Sequence, residues 1–249
     1  MGDQQRTAVV TGGGGGIGSA ISRRLATDGF DVVIAYCANE SGAQDAAHDC
    51  RESGVRAVTV QADLTEPEGV RQLVDTAIDE FGRLDAFVHN AATAVFGSLP
   101  KLATQRHDDY LRVFALNAHA LLVAAAECSQ RMADGGRIVN ISSVATVQGL
   151  FGGAAYAASK AAAESITRTA ASELGGRGIT CNTIQLGLVD TATARAVTNQ
   201  QVMDFYAMQA PVRRVGEPSE VAALVSHLVG GESGWLTGQT VGLNGGFRF

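Results

Sequence analysis

Tyr156 and Lys160 stand four residues apart in Tyr156-Ala-Ala-Ser-Lys160, a spacing that puts both side chains on one face of a helix. Taken alone, such a pair is more often solvated surface than a site. Its chemical meaning is acid–base. A phenol titrates at about 10, and an ammonium beside it favours the anion, drawing the group toward the working pH of a general acid for a carbonyl oxygen. Upstream, Ser142 and Ser143 follow a segment of strand character, Arg137 to Ile141. A hydroxyl there can donate to a substrate oxygen and stabilise charge as hydride arrives. Asn117 lies in Ala-Leu-Asn-Ala-His, where an amide among apolar neighbours requires partners. It reads equally well as a satisfied core amide or as part of a site.

A second chemical feature is AVVTGGGGGIGSA at residues 8–20, in which Gly12 to Gly16 run together before Ile17 and Gly18. Two registers overlap in it: Gly13, Gly15 and Gly18 give GxGxxG, while Thr11, Gly12, Gly16 and Gly18 give TGxxxGxG. A glycine turn between a strand and a helix brings backbone N–H groups and the positive end of the helix against a diphosphate. The run lacks the Lys-Ser/Thr ending of a nucleotide-hydrolase loop, which argues against an ATPase.

The elements that position these residues follow from periodicity. Thr7–Val10, Phe30–Tyr36, 55–62, 84–89, 137–141, 179–185 and 239–243 have strand character, separated by helical patterns over 17–28, 42–52, 70–81, 106–132, 154–174 and from Pro218. This alternation predicts an α/β protein, a Rossmann-like doubly wound parallel sheet with helices on both faces. One domain over 1–249 is expected, with residues 188–214 breaking the short-loop rhythm as a substrate loop over the sheet edge.

With 249 residues, 46% of them hydrophobic, the chain can bury a large core. A net charge of -6 gives no sign of a nucleic-acid surface. No signal-like segment or run of 18 uninterrupted apolar residues predicts a membrane location. The cysteines, Cys37, Cys50, Cys128 and Cys181, form no CxxC pair and read as buried thiols of a cytoplasmic protein. His48, His89, His107, His119 and His227 have no metal-ligand spacing, so no metal is expected.

Thr11-Gly12…Gly16-Ile17-Gly18, His89-Asn90-Ala91-Ala92, Asn117, Ser143, Tyr156-Ala-Ala-Ser-Lys160, Asn182 to Thr191 and the terminal TGQ…NGG at 237–246 together resemble the classical short-chain dehydrogenase/reductase family over nearly the whole chain. The ending and length are most similar to bacterial 3-oxoacyl-(acyl carrier protein) reductases and related ketoreductases. The resemblance selects the TGxxxGxG register, leaving Gly13 and Gly14 permissive, and selects Ser143 over Ser142. It implies NAD(P)H-dependent reduction of a ketone, or the reverse oxidation, with Asn117, Ser143, Tyr156 and Lys160 catalytic. Asn117 would hold a water that relays protons through Lys160. Enoyl reduction, or nucleotide sensing without catalysis, is the alternative.

The resemblance also implies the cofactor contacts: Thr11, Gly12, Gly15, Gly16, Ile17 and Gly18 at the diphosphate, Asp63 and Leu64 at the adenine, Asn90, Ala91 and Ala92 under the turn, and Gly187, Val189 and Thr191 at the nicotinamide. Here Leu186 replaces the usual proline and Ala92 the usual glycine. Ahead of α-helical residues 42–52 stand Tyr36, Cys37 and Asn39. NAD calls for an acid there and NADP for a cation or neutral donors. With no acid among the three, and with Asn39 able to meet a phosphate, NADP(H) is expected over NAD(H), although Gly15 and Cys37 supply no arginine.

Ser143, Gln148, Phe151 and Tyr156, with Phe96 and Leu150, are the expected contacts of a small-molecule ketone or acyl thioester. Arg177 falls where similar reductases dock a carrier protein, but Asp134 reverses the charge of its companion, which argues against assuming an acyl carrier protein partner. The Ala-rich helices and terminal Phe247-Arg248-Phe249 point to a homotetramer, or a homodimer.

Overall fold

The computed structural model describes residues 5–93, 102–104 and 106–247. In chain order it comprises β1 (Arg6–Val10), α1 (Gly16–Thr27), β2 (Phe30–Tyr36), α2 (Glu40–Glu52), β3 (Ala57–Gln61), α3 (Pro67–Phe81) and β4 (Ala86–His89). These are followed by α4 (His107–Phe114), α5 (Ala120–Arg131), β5 (Arg137–Ser143), α6 (Ala145–Gln148), α7 (Ala154–Leu174), β6 (Thr180–Leu186), α8 (Ala192–Val197), α9 (Gln200–Gln209), α10 (Pro218–Val229) and β7 (Thr240–Leu243). The strands form one sheet in the order β3-β2-β1-β4-β5-β6-β7, and every neighbouring pair is parallel. Alternating side chains therefore feed two cores. Val9, Val33, Phe87 and Ile138 face the layer of α3, α5 and α7, whereas Val10, Val32, Val88 and Val139 face that of α1, α2 and α10. Strands buried on both faces explain the unbroken apolar run of Val32 to Ala35, in which each Val or Ile side chain contributes about 1.5–3 kcal/mol. This is the Rossmann-like, doubly wound arrangement that the sequence predicted.

Local chemistry fixes the helix ends. Pro67 starts α3, and Gly82 ends it in the left-handed conformation at φ 83°, donating to Ile78 O. Pro218 starts α10 within a capping box formed by Glu217 and Glu220.

Two elements depart from expectation. The helix expected over 106–132 is interrupted by one turn of π-helix, Ala115–His119, which carries Asn117. The stretch His107–Arg131 is long and apolar enough to cross a membrane by length and composition, but Val113, Leu121, Ala124 and Cys128 are buried within the fold. Residues 188–214, expected as a substrate loop over the sheet edge, contain α8 and α9, capped by Thr191 and Asn199. Arg213, which follows α9, is the only non-glycine among the described residues with positive φ, at 58°.

Candidate active site

β1 and β4 are sheet neighbours although both strands of the other half-sheet, β2 and β3, separate them in the chain, so the crevice above their C-terminal ends is the topological switch point where open α/β sheets bind ligands. A cavity of about 540 Å³ lies there, walled by the glycine turn, Tyr36, Cys37, Asp63, Leu64, Asn90, Ala91 and Ala92. It shares Ile17, Asn90, Ala92, Thr191 and Thr193 with a second cavity of about 250 Å³, which holds Ser143, Tyr156, Lys160, Gly187 and Val189. One cleft thus joins the glycines to the acid–base pair.

The glycine turn is held from beneath by β4. Buried Thr11 Oγ1 donates to Val88 O at 3.2 Å and accepts from the N–H groups of Asn90 and Ala91, each at 2.9 Å. Asn90 Nδ2 donates to Thr11 O and Gly12 O. Thr11→Val keeps the shape but strands two N–H groups, so we expect it to lower the free energy of unfolding by about 1–3 kcal/mol, read as a lower denaturant midpoint at unchanged m-value.

The five glycines are unequal, though not as the sequence suggested. Gly12 has φ +64°, and a Cβ on Gly18 would stand 2.1 Å from Gly12 O, so neither position tolerates a side chain. Gly13 and Gly14 are not permissive: a Cβ on either would come within 2.7 Å of Ile34 or Ala43, because the turn packs directly on β2 and α2. Gly15 is the open position. It precedes α1 without any side-chain cap, so the positive end of α1 faces the larger cavity, an arrangement fitted to a dinucleotide diphosphate.

Beyond β2 the structure revises the expectation for Asn39. Its amide donates to Gly14 O at 2.7 Å and its carbonyl oxygen accepts from Gly42 N. The side chain thus ties α2 to the glycine turn, and it is absent from the cavity wall. An acid also stands nearer than the sequence search found, since Glu40 hydrogen-bonds Tyr36 and pushes the Tyr36 phenol upward, after the larger effect of burial. Cys37 is exposed, in contrast to the buried thiols expected; Cys50, Cys128 and Cys181 are buried, and all four are free. Asp63 accepts from both the N–H and the hydroxyl of Thr65, which holds its carboxyl below the usual range.

At the acid–base end, Tyr156 and Lys160 lie one turn apart on α7 as expected. Lys160 is 2% exposed and donates to Ile141 O at 2.7 Å. Burial pulls its ammonium down to about 8, against an opposing pull from Glu164. Burial raises Tyr156, and its hydrogen bond with Ser143 works the other way. Ser143 Oγ also accepts from Ala145 N. Ser142 is committed elsewhere, donating to the buried Glu164 carboxylate at 2.6 Å, so the free serine of the pair is the one beside Tyr156.

Asn117 is fully buried and reaches two segments. Its Oδ1 accepts from Thr93 N, and its Nδ2 donates to Thr93 O and to Ser159 Oγ, which in turn donates to Tyr156 O. Thr93 and Ser159 are linking residues that the sequence reading missed; their only signal was proximity to the HNAA and YAASK segments. His89, beneath them, is fully buried with Nε2 unpartnered among the described residues. Burial and the Lys160 charge drive it down to about 3, so it is neutral.

Leu186 ends β6 with its carbonyl accepting from Val144 N while Gly187 N donates to Leu243 O, bonds that a proline at 186 would leave in place. Val189 then bridges Gly216 through bonds made by Asp190 N and Gly216 N, none of which uses its own N–H or C=O. Thr191 Oγ1 accepts from Ala194 N, and the Thr191 side chain lies against Gly16. Ala92 requires no positive φ. Of the expected substrate contacts, Ser143 and Tyr156 line the smaller cavity, whereas half-buried Gln148 and exposed Phe151 lie outside the walls of both. Phe96, Arg248 and Phe249 fall outside the described residues.

The comparisons with known proteins agree with this geometry. A family model described as "Enoyl-(Acyl carrier protein) reductase" matches residues 12–248. A versicolorin reductase of Emericella nidulans is 33% identical over 97% of this chain and 95% of its own. A hydroxynaphthalene reductase-like protein of Metarhizium brunneum is 37% identical, with 97% and 94% covered. Among solved structures, a short chain dehydrogenase from Burkholderia cenocepacia in complex with NADP superposes with a TM-score of 0.91 at 36% identity, over 98% of both chains. None of the similar proteins named here is described as a 3-oxoacyl-(acyl carrier protein) reductase, so the likeness holds at the level of the family and its ketoreductases rather than of that one activity. The chain belongs to the classical short-chain dehydrogenase/reductase family and is an NAD(P)H-dependent carbonyl reductase by type.

Proposed function

We propose that this enzyme reduces a cyclic or polyketide-like aromatic ketone to the alcohol, and that it favours NADP(H) over NAD(H). The observation that carries the chemistry is the cluster of Ser143, Tyr156 and buried Lys160 in one cavity continuous with the glycine turn. The glycine turn and Lys160 would hold a reduced nicotinamide dinucleotide in this cleft, and the chemistry it would supply is hydride for the carbonyl carbon. Ser143 and Tyr156 hold the carbonyl oxygen, and Tyr156 gives it a proton as negative charge develops. Lys160 sustains the local positive potential and binds ribose hydroxyls. Asn117 positions Thr93 and Ser159. Both its N–H groups are committed, so a relay water would sit on carbonyls of the π turn rather than on the Asn117 amide. Gly187, Val189 and Thr191 would frame the nicotinamide, and Thr11, Gly12, Gly16, Ile17 and Gly18 the diphosphate.

The NADP(H) preference is supported by the NADP-bound relative. With Asn39 committed and Glu40 beside Tyr36, no side-chain cation among the described residues stands after β2 to meet a 2′-phosphate, so the discrimination we propose is modest. Ketone is favoured over carrier-bound 3-oxoacyl thioester because Arg177 is spent internally, on Asp134 and on the carbonyls of Ser129 and Met132. We place the protein in the cytoplasm as one domain and as a homotetramer, in which the groove between α5 and α7, lined by Leu122, Ala126, Ile166 and Ala170, is a contact between copies. Residues 188–214 would close over the substrate.

The test follows the absorbance of the reduced nicotinamide with NADPH or NADH and a panel of bicyclic and tricyclic aromatic ketones, simple ketones and enoyl thioesters. Stoichiometric cofactor loss with alcohol formation from the aromatic ketones is expected. Turnover of enoyl thioesters alone would favour the enoyl reductase reading, which the matching family description keeps in view. Binding without turnover across the panel would favour a nucleotide sensor.

A further inference from the structure

The larger cavity has an end that neither the glycine turn nor the acid–base pair occupies. A dinucleotide with its diphosphate on the glycine turn and its reactive ring beside Tyr156 must place its adenosine at the opposite end. That end is bounded by Tyr36 and Cys37 after β2, Asp63 and Thr65 after β3, and Arg112 and Leu116 from α4 and the π turn. The ribose is joined to the diphosphate and stays near β2, so the base extends beyond it, between β3 and α4.

Arg112 is the one arginine or lysine among the described residues on the wall of this cavity. It is exposed, and its charge acts on Asp63 across the cavity. On the basis of the dinucleotide reading above, we propose that Arg112 is an adenine-binding residue whose planar guanidinium covers one face of the base. A delocalised, weakly hydrated cation suits a purine face. The carboxylate of Asp63 draws the guanidinium over the pocket and accepts from the exocyclic amine of the base. A phosphate is the poorer partner for Arg112 here. Asp63 is an anion facing it in the same cavity, Glu40 sits beside Tyr36 where a 2′-phosphate would lie, and Arg112 comes from the far side of the cavity.

The two roles separate by cofactor. NADPH and NADH are titrated by nicotinamide fluorescence against the full chain, with adenosine 5′-monophosphate as competitor, for the parent, Arg112→Ala and Arg112→Lys. Stacking on the base predicts that Arg112→Ala raises the Kd of NADPH and of NADH alike by about tenfold, with their ratio constant to within about twofold and the monophosphate weakened in parallel. Arg112→Lys, which keeps the charge without the plane, should recover less than half of that loss on a logarithmic scale. Unchanged melting temperatures would show that the exposed substitution leaves the fold intact. Weakening confined to NADPH would overturn the proposal in favour of a phosphate contact, and unchanged binding of both cofactors by Arg112→Ala would also overturn it. If the parent bound neither dinucleotide, the reading of the cleft itself would fail, and this inference with it.

Discussion

Tyr156→Phe is expected to lower kcat for ketone reduction by about 10²–10⁴-fold while the Kd for NADPH stays within about twofold. The substitution removes one oxygen from a ring that otherwise keeps its place on α7, and with it the proton of the one phenol among the described residues on the wall of the smaller cavity. Burial favours the neutral phenol over its anion, so in the reduction direction Tyr156 enters the reaction carrying the proton it must give. Ser143 remains in the variant and still donates to the substrate oxygen, so KM should move less than kcat. Stopped-flow single turnovers separate the two quantities. A single-turnover rate near that of the parent would remove Tyr156 from the proton-transfer step.

Much of this site was legible because its parts are local. The Tyr156–Lys160 spacing needs only the rise of a helix, and the glycine turn needs only a strand before and a helix after. The parallel sheet with helices on both faces was recoverable from βα alternation, since parallel strands require crossovers. The features that were missed are tertiary. The π turn at Ala115–His119 reflects bonds from Asn117 to Thr93, 24 residues away, and to Ser159, 42 residues away, and ALNAH by itself reads as ordinary helix. Gly13 and Gly14 looked dispensable because a motif records what touches the ligand; here their missing side chains admit Ile34 and Ala43.

Asn39 and Glu40 show the same limit in the other direction. Asn39 was read as a phosphate donor from its place after β2, but an asparagine just ahead of a helix is also a natural N-cap, and that local demand prevailed. Glu40, the first residue of α2, lies one residue beyond the Tyr36 to Asn39 segment where an acid is expected to meet the ribose, yet it turns back to Tyr36. The cofactor preference was hard to read because it depends on side chains that can face either the helix end or the ribose, and the sequence does not say which.

The pH dependence of the reaction should be set by Lys160. Its folded value is pulled down to about 8 by burial, below the usual value for a lysine of about 10.4, while burial keeps Tyr156 protonated above its own ordinary range. As pH rises, Lys160 is therefore the first of the pair to lose its proton. The logarithm of kcat/KM for reduction should be level below about pH 8 and fall with a slope of one above it, a loss of about tenfold by pH 9 and about a hundredfold by pH 10. Stability should move the opposite way. Between about pH 8 and the ordinary lysine value, the unfolded chain binds this proton and the folded chain does not, so the contribution of Lys160 to stability rises with pH in that window. Lys160→Met removes both effects. Its residual activity should lack the limb near pH 8, and the difference in melting temperature between it and the parent should shift in favour of the parent between about pH 8 and pH 10. A parent whose activity stays level to about pH 10 would show that burial does not lower Lys160 and that its charge survives throughout the working range. In that case the second half of the prediction, the pH-dependent difference in melting temperature, would vanish along with the first.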